Sequence, residues 1–316
     1  MRVTIALGAI ATVVLGVAGC SADAPTSPST PPPVSPAASA SPPPTHTGVA
    51  ELALPVEPGA DVHGLVSVGD HRLAVHCAGD GSPTVVILHG GIDKPGVTSH
   101  DYYGALRSEL EEDYRVCSYD RTNVGDSDSV EGTQSPEMVV ADLDALMEAI
   151  GDQGPYLLIG QSAGGMVASA YAVAHPEKVA GIVLADASFD EEVTISDVGM
   201  VPEGMSPCDP VNREYDGEQH LQKIDNCAMY KWAFERRDQR PKVPLVFLAS
   251  EREPASGYSD FGAAYTEAIV PLQKAYAESW SPGKFVWVDA GHDIHVDDPT
   301  AVADAVDWVV DNATQP

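Results

Sequence analysis

The chain has 316 residues, with 17 Lys and Arg against 47 Asp and Glu, a formal charge of −30. Such a balance disfavours nucleic acid and anionic lipid headgroups as partners and reads as a solvated surface that maintains solubility. The acidic residues are scattered rather than blocked, which weighs against a dedicated cation-binding tract.

Arg2 precedes an apolar run from Val3 to Val17 that ends in Val17-Ala18-Gly19-Cys20. The run has the length of a signal-peptide core and is too short for a stable membrane span. An aliphatic residue and two small ones before a cysteine resemble the bacterial lipobox. That resemblance implies removal of residues 1–19, lipidation of Cys20, and a protein held on the extracytoplasmic face of a bacterial membrane; an ordinary cleaved signal is the alternative. Residues 20–48 are rich in Ser, Thr, Pro and Ala, including Pro31-Pro32-Pro33 and Pro42-Pro43-Pro44. With almost nothing to bury, this stretch is expected to be a disordered, semi-rigid tether. Residues 49–316 suit one large α/β domain.

Strand patterns at Val62–Val68 and His71–Cys77 flank Gly69-Asp70, a dipeptide that favours a tight hairpin turn. Short apolar or β-branched runs follow at Thr84–Leu88, Arg115–Tyr119, Tyr156–Ile159, Gly181–Ala185, Leu245–Ala249 and Lys284–Val288, as buried parallel strands require. Helical patterns lie between them at about Asp101–Glu111, Pro136–Ile150, Ala163–Ala174, Phe261–Glu278 and Pro299–Val310. The alternation predicts a doubly wound, mostly parallel eight-stranded sheet. Ser135 and Pro136 supply the start of the second helix, and Met138, Leu143, Leu146, Met147 and Ile150 are expected to pack in the core. Residues 187–242 break the alternation and read as an insertion after the sixth strand, of the kind that covers a pocket.

Besides Cys20 there are Cys77, Cys117, Cys208 and Cys227, an even number that suggests two disulfides in an exported chain. Three pairings are open. No CxxC spacing occurs, so metal binding by these four is the weaker reading, and with no cofactor motif in the chain no cofactor is expected.

Gly160-Gln161-Ser162-Ala163-Gly164-Gly165 stands between an apolar strand and a small-residue helix, which is the context of a nucleophile elbow. Such a turn holds Ser162 in a strained conformation at a helix N-terminus, and the flanking glycines prevent collisions. A serine hydroxyl needs a base, and Gly291-His292 follows the last strand where that base is expected; His295 is a rival in the same loop. A carboxylate must orient the imidazole. Glu253, after strand Leu245–Ala249, is the first candidate and Asp186 the alternative, with Glu251 and Asp260 behind them. His89-Gly90-Gly91 follows strand Thr84–Leu88, so the N–H groups of Gly91 and Ala163 are expected to form an oxyanion hole, with His89 tying down the loop.

Taken in order, His89–Gly91, Tyr119-Asp120-Arg121-Thr122-Asn123-Val124-Gly125-Asp126-Ser127, the elbow at Ser162, and Gly291-His292 before Asp298-Pro299 resemble the α/β-hydrolase superfamily over residues 60–312. The resemblance implies the α/β-hydrolase fold with a cap after strand six. It also makes the second and fourth strands neighbours, which would pair Cys77 with Cys117 and leave Cys208 for Cys227. It implies a serine hydrolase of a small ester-like molecule, working without a cofactor. Peptide, amide, lactone or C–C bond cleavage by the same residues is the alternative, and a binding protein that has lost catalysis is another. Ser162 argues against epoxide and haloalkane chemistry, where the family places Asp at the elbow. Two departures stand out: Glu253 where many members have Asp, and Ile92-Asp93-Lys94-Pro95 in place of the Pro-Gly that often marks proline-releasing peptidases.

Overall fold

The computed structural model describes residues 49–92, 94, 96–194, 208, 222–252 and 262–313, with side chains in the last stretch described from residue 269. Eight strands form one sheet: β1 Val62–Val68, β2 His71–Ala78, β3 Val85–Leu88, β4 Val116–Tyr119, β5 Tyr156–Gln161, β6 Val179–Ala185, β7 Leu245–Ser250 and β8 Gly283–Val288. Their order is β1-β2-β4-β3-β5-β6-β7-β8. The first two pairings are antiparallel and the remainder parallel. Gly69, at φ 84°, closes the β1–β2 hairpin as the sequence leads one to expect.

The helices are α1 Ser99–Tyr102, α2 Gly104–Leu110, α3 Pro136–Ala149, α4 Gly164–Ala174, α5 Asn226–Glu235, α6 Gly262–Ser279, α7 Ile294–Asp297 and α8 Pro299–Asn312. Strand residues alternate between two cores, since successive side chains point to opposite faces. Val86, Leu88, Leu158, Leu184 and Phe247 join α3, α4 and α6 on one face. Val85, Ile87, Leu157, Val183 and Val246 join α2, α7 and α8 on the other. From β3 to β7 both faces are almost wholly buried, which is why these strands read as continuous apolar runs rather than as alternating ones. The edge strand β8, expected to be buried, is mostly half-buried or exposed because it has a neighbour on one side alone.

Two local expectations are corrected. The single helix expected over Asp101–Glu111 is two, α1 and α2, broken at Tyr103, with Gly104, a poor helix former, starting the second. Met138 is 44 % exposed rather than buried. The buried stripe of α3 is Val139, Val140, Leu143, Leu146 and Met147, and Met138 precedes Val139 by one residue, about 100° round the helix. Ser135 caps this helix through Met138 N–H, with Pro136 in its first turn.

Cys77 and Cys117 stand directly opposite each other across β2 and β4 and are disulfide-bonded, both fully buried. Cys208 is bonded to Cys227 at the start of α5. In the segment between β6 and β7, α5 packs on α4 through a face that buries Cys227, Met229, Tyr230 and Ala233.

Candidate active site

Strand β5 runs into α4 through Ser162, whose φ of 47° lies in the left-handed region that β-substituted residues rarely adopt. The glycines around it are required by space. A Cβ on Gly164 would sit 1.9 Å from the Leu88 carbonyl oxygen, and one on Gly160 would sit 2.7 Å from Gly165 Cα. The backbone ties the turn to the next strand: Ser162 N–H donates to Ala185 O at 3.4 Å, and Ser188 N–H donates to Ser162 O at 2.9 Å.

Asp186 falls between those two contacts, at the C-terminal end of β6, also at positive φ (42°). Its N–H donates to Leu248 O and its Oδ1 accepts from Ser250 N–H, so β7 fixes a carboxylate that is 2 % exposed. Its other oxygen meets His292: Nδ1 to Asp186 Oδ2 is 2.8 Å. Asp186, the alternative acid from the sequence, is therefore the carboxylate on the imidazole. Glu253 lies outside the described residues, as does Asp260, and Glu251 is exposed.

The rival histidine is accounted for differently. His295 is 1 % exposed, stacked on Tyr103 with ring centroids 4.2 Å apart, and neither ring nitrogen has a hydrogen-bond partner among the described residues. Burial pushes its pKa down to about 4. It packs as an aromatic ring.

Gln161, just before the serine, holds three loops at once. Its Oε1 accepts from the Tyr103 hydroxyl at 3.0 Å, and that same hydroxyl oxygen accepts from Gly90 N–H at 3.1 Å. Its amide Nε2 reaches His292 O at 3.5 Å and Asp293 Oδ1 at 3.4 Å, while Tyr102 OH donates to Asp293 Oδ2 at 2.9 Å. The loops carrying Gly90, Ser162 and His292 thus share one hydrogen-bonded chain. Sequence reasoning missed Tyr102, Tyr103 and Gln161, and the only signal for them was the adjacency of Gln161 to the elbow.

His89 is wholly buried, with Nδ1 donating to Gly90 O at 2.8 Å and Nε2 accepting from Arg121 N–H at 3.1 Å. One nitrogen faces an acceptor and the other a donor, which fixes the neutral Nδ1–H tautomer. Burial, and then the Arg121 charge, lower its pKa well below the usual histidine value.

A cavity of about 210 Å³ opens over the elbow. Gly91, Ser162 and Ala163 form one wall, Met166 and Val167 of α4 another, and Gln222, Ile224, Asn226 and Met229 from the segment between β6 and β7 close it. The lining combines apolar side chains with a few polar groups, the usual composition of a small-molecule site. No cluster of His, Cys, Asp or Glu suited to a metal ion occurs among the described residues.

The family described as alpha/beta hydrolase fold matches residues 83–269, which span the His89–Gly91 loop, the Ser162 turn and Asp186. The chain belongs to this family. This α/β hydrolase is 22 % identical to YqjL of Bacillus subtilis over 206 residues, 65 % of this chain and 76 % of that one. It is 28 % identical to mouse epoxide hydrolase 4 over 136 residues, 40 % of this chain and 35 % of the mouse protein. Several of the curated relatives are spanned for less than half of their length. Among solved structures it is similar to a thermophilic esterase from Thermogutta terrifontis, at a TM-score of 0.51 and 19 % identity, covering 81 % of this chain and 100 % of that one. At that identity the likeness speaks for the fold.

Proposed function

We propose that this α/β hydrolase cleaves a carboxylic ester through an acyl-enzyme, with Ser162 as nucleophile, His292 as base and Asp186 as the orienting acid. The observation that carries the reading is the 2.8 Å bond from His292 Nδ1 to the buried carboxylate of Asp186, whose neighbours Ala185 and Ser188 are bonded through the backbone to Ser162. With Nδ1–H donating to Asp186, Nε2 is the basic nitrogen. In the first step Ser162 Oγ bonds to the carbonyl carbon, His292 Nε2 takes the hydroxyl proton, and the carbonyl π electrons move onto oxygen. The N–H groups of Gly91 and Ala163 receive that oxyanion, Ala163 standing at the N-terminus of α4 where the helix dipole favours negative charge. Collapse expels the alkoxide, which takes the proton from the imidazolium. Water then repeats the sequence on the acyl-enzyme and releases the acid.

The mouse relative is named an epoxide hydrolase, but the family resemblance assigns that chemistry to an elbow Asp, and here the elbow carries Ser162. Met166, Val167, Ile224 and Met229 favour an apolar acyl or alcohol group. The test is turnover of short-chain aryl esters, with fluorophosphonate labelling of the wild type and of Ser162→Ala. Labelling and turnover that vanish together in Ser162→Ala are expected; a wild type inert to both overturns the reading.

A further inference from the structure

The guanidinium of Arg121 faces the carbonyls of the His89–Gly91 loop. Arg121 follows β4, is 2 % exposed, and among the described residues has no carboxylate in ion-pair contact. Its guanidinium donates instead to three oxygens: Nη1 to His89 O at 2.5 Å, Nη2 to Gly90 O at 2.8 Å, and Nη2 and Nε to Gln222 Oε1 at 2.5 and 3.2 Å. Gly90 O is the point of convergence. It also accepts from His89 Nδ1 at 2.8 Å and from Gln222 Nε2 at 3.2 Å, so three donors, one of them cationic, meet at a single carbonyl.

That carbonyl belongs to the Gly90–Gly91 peptide, and the N–H at the other end of the same peptide is that of Gly91, which lines the cavity beside Ser162. Hydrogen bonds to a peptide oxygen draw electron density from its nitrogen and make its N–H a stronger donor, an effect that grows where water is excluded. Nearby Asp120 favours the Arg121 charge, but a buried cation with no carboxylate in contact among the described residues is costly to hold, and its field favours any negative charge that forms nearby. The negative charge this site would form is the oxyanion.

We infer that Arg121, with Gln222 beside it, is a positioning residue that polarises the Gly90–Gly91 peptide and so strengthens the Gly91 N–H as an oxyanion donor. The inference rests on the proposed acyl-transfer reading and adds to it a cation on the far side of the oxyanion peptide. It also gives the segment between β6 and β7 a part in catalysis, since Gln222 reaches Gly90 O only when that segment is seated over the elbow. Arg121 touches no substrate; it acts through the peptide.

The experiment compares an aryl ester with its thionoester. Sulfur is a weaker hydrogen-bond acceptor than oxygen, so the ratio of the two kcat values reports the strength of the oxyanion donors. Loss of a donor itself costs a hundredfold or more in kcat, so Arg121→Met, which only weakens one, is expected to lower kcat on the oxygen ester by about tenfold and to compress the ratio by a similar factor. KM should stay within about threefold, because the interaction strengthens only in the transition state. Arg121→Lys keeps the charge but not the planar fork, and its ratio should lie between Arg121→Met and wild type. Gln222→Leu should compress the ratio by about threefold, and it decides the matter if Arg121→Met yields no folded protein. A wild type that turns over the ester, beside folded variants whose ratio does not move, overturns this inference alone. A wild type inert to esters and to fluorophosphonate overturns the ester reading itself, and this inference with it.

Discussion

Ser162 and Asp186 are two non-glycine residues at positive φ, at the ends of adjacent strands and joined by backbone contacts through Ala185 and Ser188. Strain of this kind, of order 1–3 kcal/mol each, persists where surrounding contacts over-determine it, and here it presents one side chain to the cavity and the other to His292. Asp186→Asn should therefore lower kcat/KM on an activated ester by about 10³ to 10⁴ while leaving the fold intact, because the amide favours the wrong imidazole tautomer. Glu253→Gln should stay near wild type, and Asp186→Asn combined with His292→Ala should cost little more than His292→Ala alone. A collapse for Glu253→Gln beside a normal rate for Asp186→Asn would return the acid to the loop after β7. His295 offers a separate test, on stability. Burial holds it down to about 4, with His292 lowering it further and Asp293 and Asp297 opposing. Its neutral form is the one the fold favours, so the stability it contributes is complete above the unfolded value of about 6.5 and is lost as pH falls towards 4. The loss amounts to about 3 kcal/mol. His295→Phe keeps the stack on Tyr103 and removes two unpartnered nitrogens. Thermal melts of this variant should be as stable as wild type at pH 7 and should decline less between pH 6.5 and 4; an unchanged acid limb would refute the assignment.

Among the elements, the strands were legible because burial on both faces forces apolar runs, and the hairpin because Gly69-Asp70 marks it. Arg121 and Gln222 were not legible as partners, since they lie 101 residues apart and meet only when the segment after β6 folds back over β4 and the His89–Gly91 loop. The break between α1 and α2 was equally hidden: Tyr103, at the junction, reaches Gly90 N–H and Gln161, contacts that local propensity does not register. The two disulfides belong to this scale. Cys77–Cys117 closes a sequence separation of 40 and joins core strands, whereas Cys208–Cys227 closes 19 and pins the start of α5. By chain entropy the first stabilises by about 4 kcal/mol and the second by about 3. Replacing both cysteines of the core bridge by Ala should lower the denaturation midpoint more than replacing both of the other pair. Alkylation under non-reducing denaturation should find no thiol among the four, and any labelled cysteine would count against the pairing.

For the whole molecule, the N-terminal region carries an expectation that belongs to no folded element. We propose that the hydrolase body is exported and held at a bacterial surface through Cys20, on the strength of the Val17-Ala18-Gly19-Cys20 run alone. Among the described residues no helix is long and apolar enough to cross a membrane, so anchorage would rest on that lipid. Cys20→Ser should abolish lipidation and release the protein from the detergent phase, and mass spectrometry of the mature N-terminus should find modified Cys20. An unmodified native terminus at another residue would overturn the proposal. A net charge of −30 would disfavour adhesion of such an anchored protein to anionic headgroups.

The sequence by itself determined the sheet, the elbow at Ser162, the loops of His89–Gly91 and His292, and the number of disulfides. Each of these is written in short-range pattern: period, glycine spacing, or the order of motifs along the chain. Only the tertiary structure showed that Asp186 meets His292, because Asp186 and Glu253 each follow an apolar strand and look alike from along the chain. β6 lies beside β5, so Ala185 and Ser188 on either side of Asp186 are bonded through the backbone to Ser162, and the Asp186 carboxylate meets His292 at 2.8 Å. The tertiary structure likewise decided that Arg121 faces carbonyls rather than a carboxylate, since a buried charge takes its meaning from what the fold places around it.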